Sequence, residues 1–368
     1  MNQTLSKSIN LLRFPLAALI VLKHYYTPDI SAEVIGGVDE YQWYHYIGEF
    51  TKGVFPAIAV PLFFFISGYL YFNKLDLHGD SSYDFGVWKR KTRGRLRSLL
   101  IPYLSWNLLV LLLYFIAQQL TSNSTVMAKD GYKLIADYNL LDYGKAFFAI
   151  DSTGMPIDGP LWFIRDLFIV SVFITPPIYL IIRYLKLFGM IILSATFLLG
   201  LMPNIPGLSG MAIFYFTWGA YMSLHKLNMG VELAGSRANI VGMVMLLTLC
   251  LFTYCYFINS SFADTARVVY ILSVVFGIFA WIGRWVKRDA IHIPTMLSTA
   301  SFFIFAFHKP MQVIVRRMFF AILHPTQEWL LITGVFVIPM FVILIALGCF
   351  YIIKKYLPIL KFLNGYRL

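Results

Sequence analysis

Long apolar segments are the feature that most constrains this chain. A helix needs about 20 residues to cross the roughly 30 Å hydrocarbon core of a bilayer. Segments of that length recur along the sequence, and only 13% of residues are charged, against about 25% in soluble domains. The pattern predicts an all-α fold, a polytopic membrane helix bundle of about ten transmembrane helices in a single domain, 1–368. The predicted spans are approximately 9–28, 54–73, 98–119, 160–182, 187–204, 210–225, 238–258, 265–283, 299–321 and 329–353.

The distribution of Lys and Arg predicts the orientation, because cytoplasmic loops of membrane proteins carry an excess of these residues. With the N-terminus inside, 19 of the 30 Lys and Arg residues fall on the cytoplasmic side and four lie within spans. Seven fall outside, including Arg316 and Arg317 at the end of the ninth span. We therefore predict cytoplasmic N- and C-termini, with long outer loops at 29–53 and 120–159. In a membrane protein the formal net charge of +12 is accounted for in this way, and we expect no nucleic-acid partner.

The sequence offers no motif for a metal or a tightly held cofactor. Cys250, Cys255 and Cys349 lie in apolar stretches, without a CxxC pair or a histidine at metal-ligand spacing. We interpret them as small core residues. No GxGxxG, P-loop, HExxH or GxSxG motif occurs in a suitable context. The prediction is that no metal is bound and that no cofactor is held permanently.

The first span carries two charged or titratable residues, Arg13 and His24, eleven positions apart. Eleven steps of about 100° come within about 20° of three full helical turns, so the two side chains share one face, about 16 Å apart along the axis. Such a polar stripe is expected to face a cavity or a partner helix rather than lipid. The alternative is a snorkelling arginine and a structural histidine. Lys23 points about 100° away from His24 and has no predicted role beyond reaching the interface.

A basic cluster precedes the third span, and two interpretations of it remain open. It can anchor the chain to anionic lipid on the cytoplasmic side. It can also bind a polyphosphate such as a nucleotide or coenzyme A, because arginine forks bind phosphates bidentately. In that case the alternation of Arg93, Arg95 and Arg97 would form the clamp. The cluster consists of Lys89, Arg90, Lys91, Arg93, Arg95 and Arg97.

Three further spans contain polar residues. In the second span, Ser67 precedes Gly68, and close helix packing is favoured over catalysis there. The fourth span begins with a tryptophan that suits either the site or the membrane interface, followed by an adjacent Arg and Asp that can neutralise charges on neighbouring helices. The ninth span places Ser301, His308 and Gln312 on one stripe, at spacings of seven and four, next to Pro310. The tryptophan, arginine and aspartate of the fourth span are Trp162, Arg165 and Asp166.

Taken in order along the chain, these motifs resemble acyltransferase family 3, the polytopic bacterial acyltransferases that modify cell-surface sugars. The resemblance covers nearly the whole sequence. It rests on the spacing of Arg13 and His24, on PLFFFISGYLY in the second span, and on the arginine-rich segment that runs into IPYL at 101–104. It also rests on PLWFIRDL at 160–167 and on FAFHKP at 305–310.

The resemblance implies an O-acyltransferase of the bacterial inner (cytoplasmic) membrane that moves an acyl group, usually acetyl, from acyl-CoA to a hydroxyl. His24 matches the family's essential histidine and Arg13 its paired arginine, so both are predicted to be catalytic. Acetyl-CoA or another acyl-CoA would be the co-substrate, with its pantetheine arm passing Arg13. Arg93 and Arg95 match the family's arginine loop only loosely. The predicted CoA-binding residues are Arg90, Arg93, Arg95 and Arg97.

The predicted partners are acyl-CoA, a glycan or lipid-linked sugar acceptor, and membrane lipids. The sequence leaves acetyl and succinyl both open, and likewise direct transfer and a transient acyl-histidine. A multi-span transporter or flippase is the alternative function, since it too would have an intramembrane polar chamber, but no inverted repeat supports it. The predicted substrate-binding residues are Ser67, Trp162, Arg165, Asp166, His308 and Gln312.

Overall fold

The computed structural model describes residues 3–26, 41–79, 82–120, 133–150, 152–228, 235 and 237–367, and these residues are mostly helical. Parts of the two predicted outer loops, 29–40 and 121–132, lie outside the described residues, as do 27 and 28 at the end of the first predicted span. The α-helices are α1 (Gln3–Lys23), α2 (Gln42–Glu49), α3 (Ala59–Phe72), α4 (Phe85–Arg95), α5 (Ile101–Leu120), α6 (Leu140–Phe148), α7 (Trp162–Ile169), α8 (Thr175–Leu180), α9 (Lys186–Leu198), α10 (Gly210–Leu224), α11 (Ala238–Phe257), α12 (Ala263–Lys287), α13 (Thr295–Leu323) and α14 (Glu328–Tyr356). One antiparallel hairpin, β1 (Asn204–Ile205) and β2 (Leu208–Ser209), precedes α10.

Short π-helical and 3₁₀ turns join several α-helices into longer helical runs. The π-helical turns are Phe50–Val54, Leu96–Leu100, Val170–Ile174 and Ile181–Leu185. The 3₁₀ turns are Phe55–Ile58, Ile135–Asp137, Gly159–Leu161 and Pro358–Asn364. Among the described residues, seven runs are long and apolar enough to cross a membrane, which defines a multi-pass helical protein. They are Gln3–Lys23, Gln42–Phe72, Phe85–Leu120, Gly159–Leu198, Ala238–Phe257, Ala263–Lys287 and Glu328–Tyr356.

The difference between ten predicted spans and seven such runs has three sources. The predicted span 160–182 and most of 187–204 fall within one run, Gly159–Leu198, although Lys186 interrupts it with a backbone φ of +49°. Helix α10 has only 15 residues. Helix α13 has 29 residues but carries polar and charged side chains. The count of ten and the cytoplasmic position of both termini stay predictions.

The chain divides into two compact units. The first unit comprises Met1–Tyr83 and Tyr215–Tyr351, and the second comprises Asp84–Phe214 and Ile352–Leu368. In the first unit, α1 packs against α13, α12 and α3, and α11 packs along α12. The fully buried apolar side chains of α1 fall on one side of the helix, whereas Leu11, Phe14, Ala18 and Leu22 on the other side are half-buried.

In the second unit, the segment that leads to α7 packs on α5. A small core forms there from Val110, Leu111, Ile135, Ala146 and Ile157. Polar side chains of α5 satisfy the backbone of this segment: Gln118 accepts from the Ile135 N–H at 3.0 Å, and Asn107 accepts from the Asp158 N–H at 3.1 Å. Buried backbone groups need such partners, so these bonds hold the segment in place.

Candidate active site

His24 lies immediately after the first helix. Helix α1 ends at Lys23, and the backbone N–H of His24 donates to the Val21 carbonyl at 3.3 Å in the turn that follows. His24 thus lies one residue beyond the end of α1, and the prediction that it shares a helix face with Arg13 stays a prediction. The side chain of His24 is half-buried.

The ring of His24 lies beside the ring of His308, on α13. The ring centroids are 5.3 Å apart and the planes are tilted by 32°. His308 is completely buried, and it reaches this position because α13 packs along α1. Two imidazolium rings so close together would repel each other, so the pair favours at most one added proton. The structure thus joins two residues that the sequence placed only in a common polar chamber.

The hydrogen bonding of His308 defines which ring nitrogen can accept a proton. Its Nδ1 bonds to the Phe305 carbonyl oxygen on the same helix. Since a carbonyl only accepts, Nδ1 carries the hydrogen and Nε2 of the neutral ring keeps its lone pair. Nε2 is buried, and no described residue forms a hydrogen bond with it. His308 therefore offers an unused proton acceptor beside His24.

Gln312 and Arg316 attach the end of α1 to α13. Gln312 Nε2 donates to the Val21 carbonyl at 3.0 Å, and Arg316 Nη1 donates to the Tyr25 carbonyl at 2.8 Å. The last carbonyls of a helix have no partner within the helix and need outside donors. Gln312 gives the Val21 carbonyl a donor besides the His24 N–H, and Arg316 gives one to the Tyr25 carbonyl just after the helix, so both bonds position the turn that carries His24.

The sequence pattern left Arg316 out of the predicted site. The charge count assigns it to the outer side of the membrane, but its side chain is buried against the end of α1. A signal was available, because the four-residue spacing from His308 to Gln312 continues to Arg316 along the same helix face.

Arg13 lies at the middle of α1. It lies ten residues after Gln3, or about 15 Å along the helix axis. This central position arises because α1 begins at Gln3, before the predicted start of the span at residue 9. Its side chain is half-buried, and no described carboxylate lies within ion-pair distance of it. Arg13 belongs to the same unit as His24 and His308.

The stretch around Ser67 packs helix against helix. A Cβ added at Gly68 would collide with the Phe216 carbonyl oxygen, and one added at Gly219 would collide with the Phe65 carbonyl oxygen. The backbones of α3 and α10 are therefore in direct contact, as small residues permit. Ser67 itself is half-buried, and its contact with substrate stays a prediction.

Trp162, Arg165 and Asp166 belong to the second unit, where they line one cavity of about 350 Å³. Arg165 Nη2 donates to Asp166 Oδ1 at 2.9 Å, and Arg165 Nη1 donates to the carbonyls of Phe148 and Gly154. The two charges neutralise each other instead of charges on neighbouring helices. Their bonds hold loop backbone around the cavity, and contact with substrate stays a prediction for all three residues.

The basic residues 89–97 lie on α4 and on the π-helical turn after it. Two successive helical steps turn the chain by about 200°, so the predicted clamp of alternating Arg93, Arg95 and Arg97 is wrong. Arg95 is half-buried, whereas the exposed side chains form a basic stripe. The basic stripe consists of Lys89, Arg90, Arg93 and Arg97.

Helix α4 begins with a capped end and a side-chain anchor. Asp84 accepts from the Val87 N–H at 2.6 Å at the N-terminus, and Trp88 Nε1 donates to the Val172 carbonyl at 2.8 Å. These bonds hold the helix that presents the basic stripe.

The described residues contain no group of three His, Cys, Asp or Glu side chains placed to hold a metal ion.

The fold and the histidine pair define a class of protein, a multi-pass helical membrane protein with a polar site inside its bundle. The family model described as an acyltransferase domain matches residues 6–351, and the chain belongs to this family, acyltransferase family 3. The resemblance seen in the motifs is thereby confirmed. The chain is also similar to the succinoglycan biosynthesis protein ExoH of Rhizobium meliloti (strain 1021), with 27% identity over 327 residues, covering 85% of this chain and 80% of that protein. No solved structure matches it.

Proposed function

We propose that the protein is a membrane-embedded O-acyltransferase that moves an acyl group, most simply acetyl, from cytoplasmic acyl-CoA to a hydroxyl of an extracytoplasmic or lipid-linked glycan. Family membership supports acyl transfer, and the name of the relative, a succinoglycan biosynthesis protein, supports a polysaccharide acceptor. The location proposed is the bacterial inner membrane. The observation that carries the proposal is the contact between His24 and His308.

His24 is the proposed general base. A sugar hydroxyl is a poor nucleophile, and a positioned base typically accelerates its attack by about 10²–10⁴-fold. The ring of His24 makes no hydrogen bond with a described residue, which leaves its nitrogens available to bond a substrate hydroxyl. His308 is buried and bonded to its own helix, which suits a positioning residue that acts through His24.

The reaction balances with these groups. His24 takes the hydroxyl proton while the oxygen bonds to the thioester carbonyl carbon. The C–S bond then breaks, and the leaving CoA thiolate takes up the proton, which returns His24 to its neutral form. An acyl-histidine route has the same balance if the acyl group bonds first to His24 and the hydroxyl attacks afterwards. Arg13 is proposed to order the CoA side of the reaction.

The basic stripe is the proposed binding site for the CoA phosphates. Its arginines are exposed and can form bidentate bonds with phosphate oxygens. Helix α4 continues through the π-helical turn Leu96–Leu100 into α5, so the basic stripe lies in the first part of the run Phe85–Leu120. Anchoring to anionic lipid draws on the same charges, and the two roles differ in their response to CoA.

The central test measures acyl-CoA turnover by purified protein in neutral detergent. His24→Ala is expected to lower the rate by about 10²–10⁴-fold, because the base is lost, while CoA binding is retained. His78→Ala is the matched control, since it removes an exposed histidine of the same unit and should leave the rate unchanged. Full turnover in His24→Ala, or none in the wild type, would contradict the proposal.

A second test concerns the donor site. Arg93→Gln is expected to weaken CoA binding about tenfold, the loss of one charge-assisted contact, when measured by calorimetry at low salt. Arg95→Gln removes the same charge from the half-buried face and should weaken CoA binding less. Equal losses in the two variants would show that only overall charge matters.

A further inference from the structure

The first unit contains a charged cleft of about 630 Å³ that the proposed reaction does not use. Lys23, the last residue of α1, forms part of its wall together with Lys52 and Arg267. Two carboxylates, those of Glu49 and Asp264, also line it. The cleft therefore gives a place to Lys23, for which the sequence suggested no role.

The two carboxylates do not neutralise the three cations. Glu49 Oε1 lies 3.7 Å from Lys52 Nζ, and Glu49 Oε2 accepts from the Tyr256 hydroxyl at 2.6 Å, so its charge is already engaged. No described acidic side chain lies within ion-pair distance of Lys23 or Arg267. Unpaired charges on membrane helices are costly and commonly mark substrate sites. The cleft thus has capacity for an anion.

The rest of the lining suits a sugar. Asn259, Ser260 and Ser261 contribute amide and hydroxyl groups, and Tyr256 adds a phenol above the backbone of Gly53. Such groups both donate and accept hydrogen bonds, as sugar hydroxyls do. A cleft that combines these groups with unpaired cations matches a sugar bearing a negative group.

The cleft flanks the segment that carries His24. Lys23 directly precedes His24 in the chain, and Lys52 Nζ lies 5.7 Å from the centre of the Tyr26 ring, two residues beyond His24. Two of the three cations are therefore attached to, or in contact with, the turn that positions the proposed base. A group bound in the cleft would lie beside that turn.

We propose that this cleft binds an anionic group, a carboxylate or a phosphate, on the acceptor sugar. The assignment rests on the proposed function, because it concerns the acceptor of that reaction. Phospholipid headgroups share the same chemistry, so the experiment includes a lipid arm. Binding is measured without acyl-CoA, which keeps its outcome separate from that of turnover.

The test uses calorimetry on the full chain in neutral detergent, with hexagalacturonate and galactose 1-phosphate as acidic probes and maltohexaose as the neutral one. At least one acidic probe is expected to bind about tenfold more tightly than maltohexaose. Lys23→Gln and Arg267→Gln should each weaken the binding of that acidic probe about tenfold. Lys23→Arg keeps the charge and should bind the probe as the wild type does. Lys145→Gln is the matched control, an exposed lysine of the second unit.

Binding should persist in His24→Ala, so loss of the base and loss of the cleft have different signatures. Equal affinity for acidic and neutral probes, or an equal effect of Lys145→Gln, would overturn the cleft assignment and leave His24-dependent turnover unaffected. In the lipid arm, the protein in phosphatidylglycerol nanodiscs should bind the acidic probe with the same affinity as the protein in phosphatidylcholine nanodiscs. If the affinity for the acidic probe fell to that for maltohexaose in phosphatidylglycerol nanodiscs only, the cleft would bind a lipid headgroup. That result would overturn the glycan assignment.

Discussion

His24 and His308 have different surroundings although their rings lie side by side. His24 lies in a turn and is half-buried, whereas His308 on α13 is completely buried and its Nδ1 donates to the Phe305 carbonyl. In the proposed reaction, a substrate hydroxyl meets the first ring, and the second ring stabilises a proton held there. Under that proposal, His308 is a positioning residue whose effect depends on His24.

That dependence is testable with a double-mutant cycle. His308→Gln removes the buried proton acceptor but keeps a polar side chain, and we expect it to lower the turnover rate constant about tenfold to a hundredfold. In the His24→Ala background the same change should have almost no further effect, because the residue through which it acts is gone. Equal losses in both backgrounds would contradict a role through His24 and indicate a structural effect.

Arg316 is expected to contribute to stability. Arg316→Met leaves the Tyr25 carbonyl without its donor, and a buried unpaired polar group costs about 1–3 kcal/mol. The free energy of unfolding in mixed micelles should fall by that amount. Arg317→Met removes the exposed neighbouring charge and should change it little. If the two variants were equally stable, the bond to Tyr25 would have no energetic role.

At the scale of elements, the contact between α3 and α10 depends on backbone proximity. Gly68→Ala introduces a methyl group into the Phe216 carbonyl, and forcing these helices apart should cost about 1–3 kcal/mol or more. Ser67→Ala, one residue earlier, should leave unfolding unchanged. A loss of turnover in Ser67→Ala with stability retained would support the predicted substrate contact, whereas an unchanged unfolding curve for Gly68→Ala would contradict the packing.

Element boundaries were only partly predictable, for a physical reason. Hydropathy locates the apolar part of a helix but not its polar ends, so the first span was predicted to begin at 9 whereas α1 begins at Gln3. It also ignores backbone breaks, such as Lys186 within Gly159–Leu198. The buried polar face of α13 lowers its hydropathy, and the helix predicted at 299–321 extends over Thr295–Leu323.

For the whole molecule, the predicted orientation has a direct test. In a variant without its three cysteines, Lys145→Cys should react with a membrane-impermeant maleimide added to intact spheroplasts, because 120–159 is predicted to be outside. Lys354→Cys should react only after permeabilisation, as its segment is predicted to be cytoplasmic. The opposite pattern would invert the topology, and labelling of both residues from outside would require an even number of spans between them instead of the seven predicted.

The amino-acid sequence by itself determined the class and the family, because apolar runs and the motifs around Arg13 and His24 are local features. Tertiary structure alone decided which polar groups meet. It brought His308 and Arg316 to the end of α1, paired Arg165 with Asp166 beside loop carbonyls, and separated the faces of the basic helix. Lipid tails are as apolar as leucine, so hydrophobicity inserts helices but does not choose their partners. Close backbone packing and buried hydrogen bonds make that choice, and both exist only once distant segments have come together.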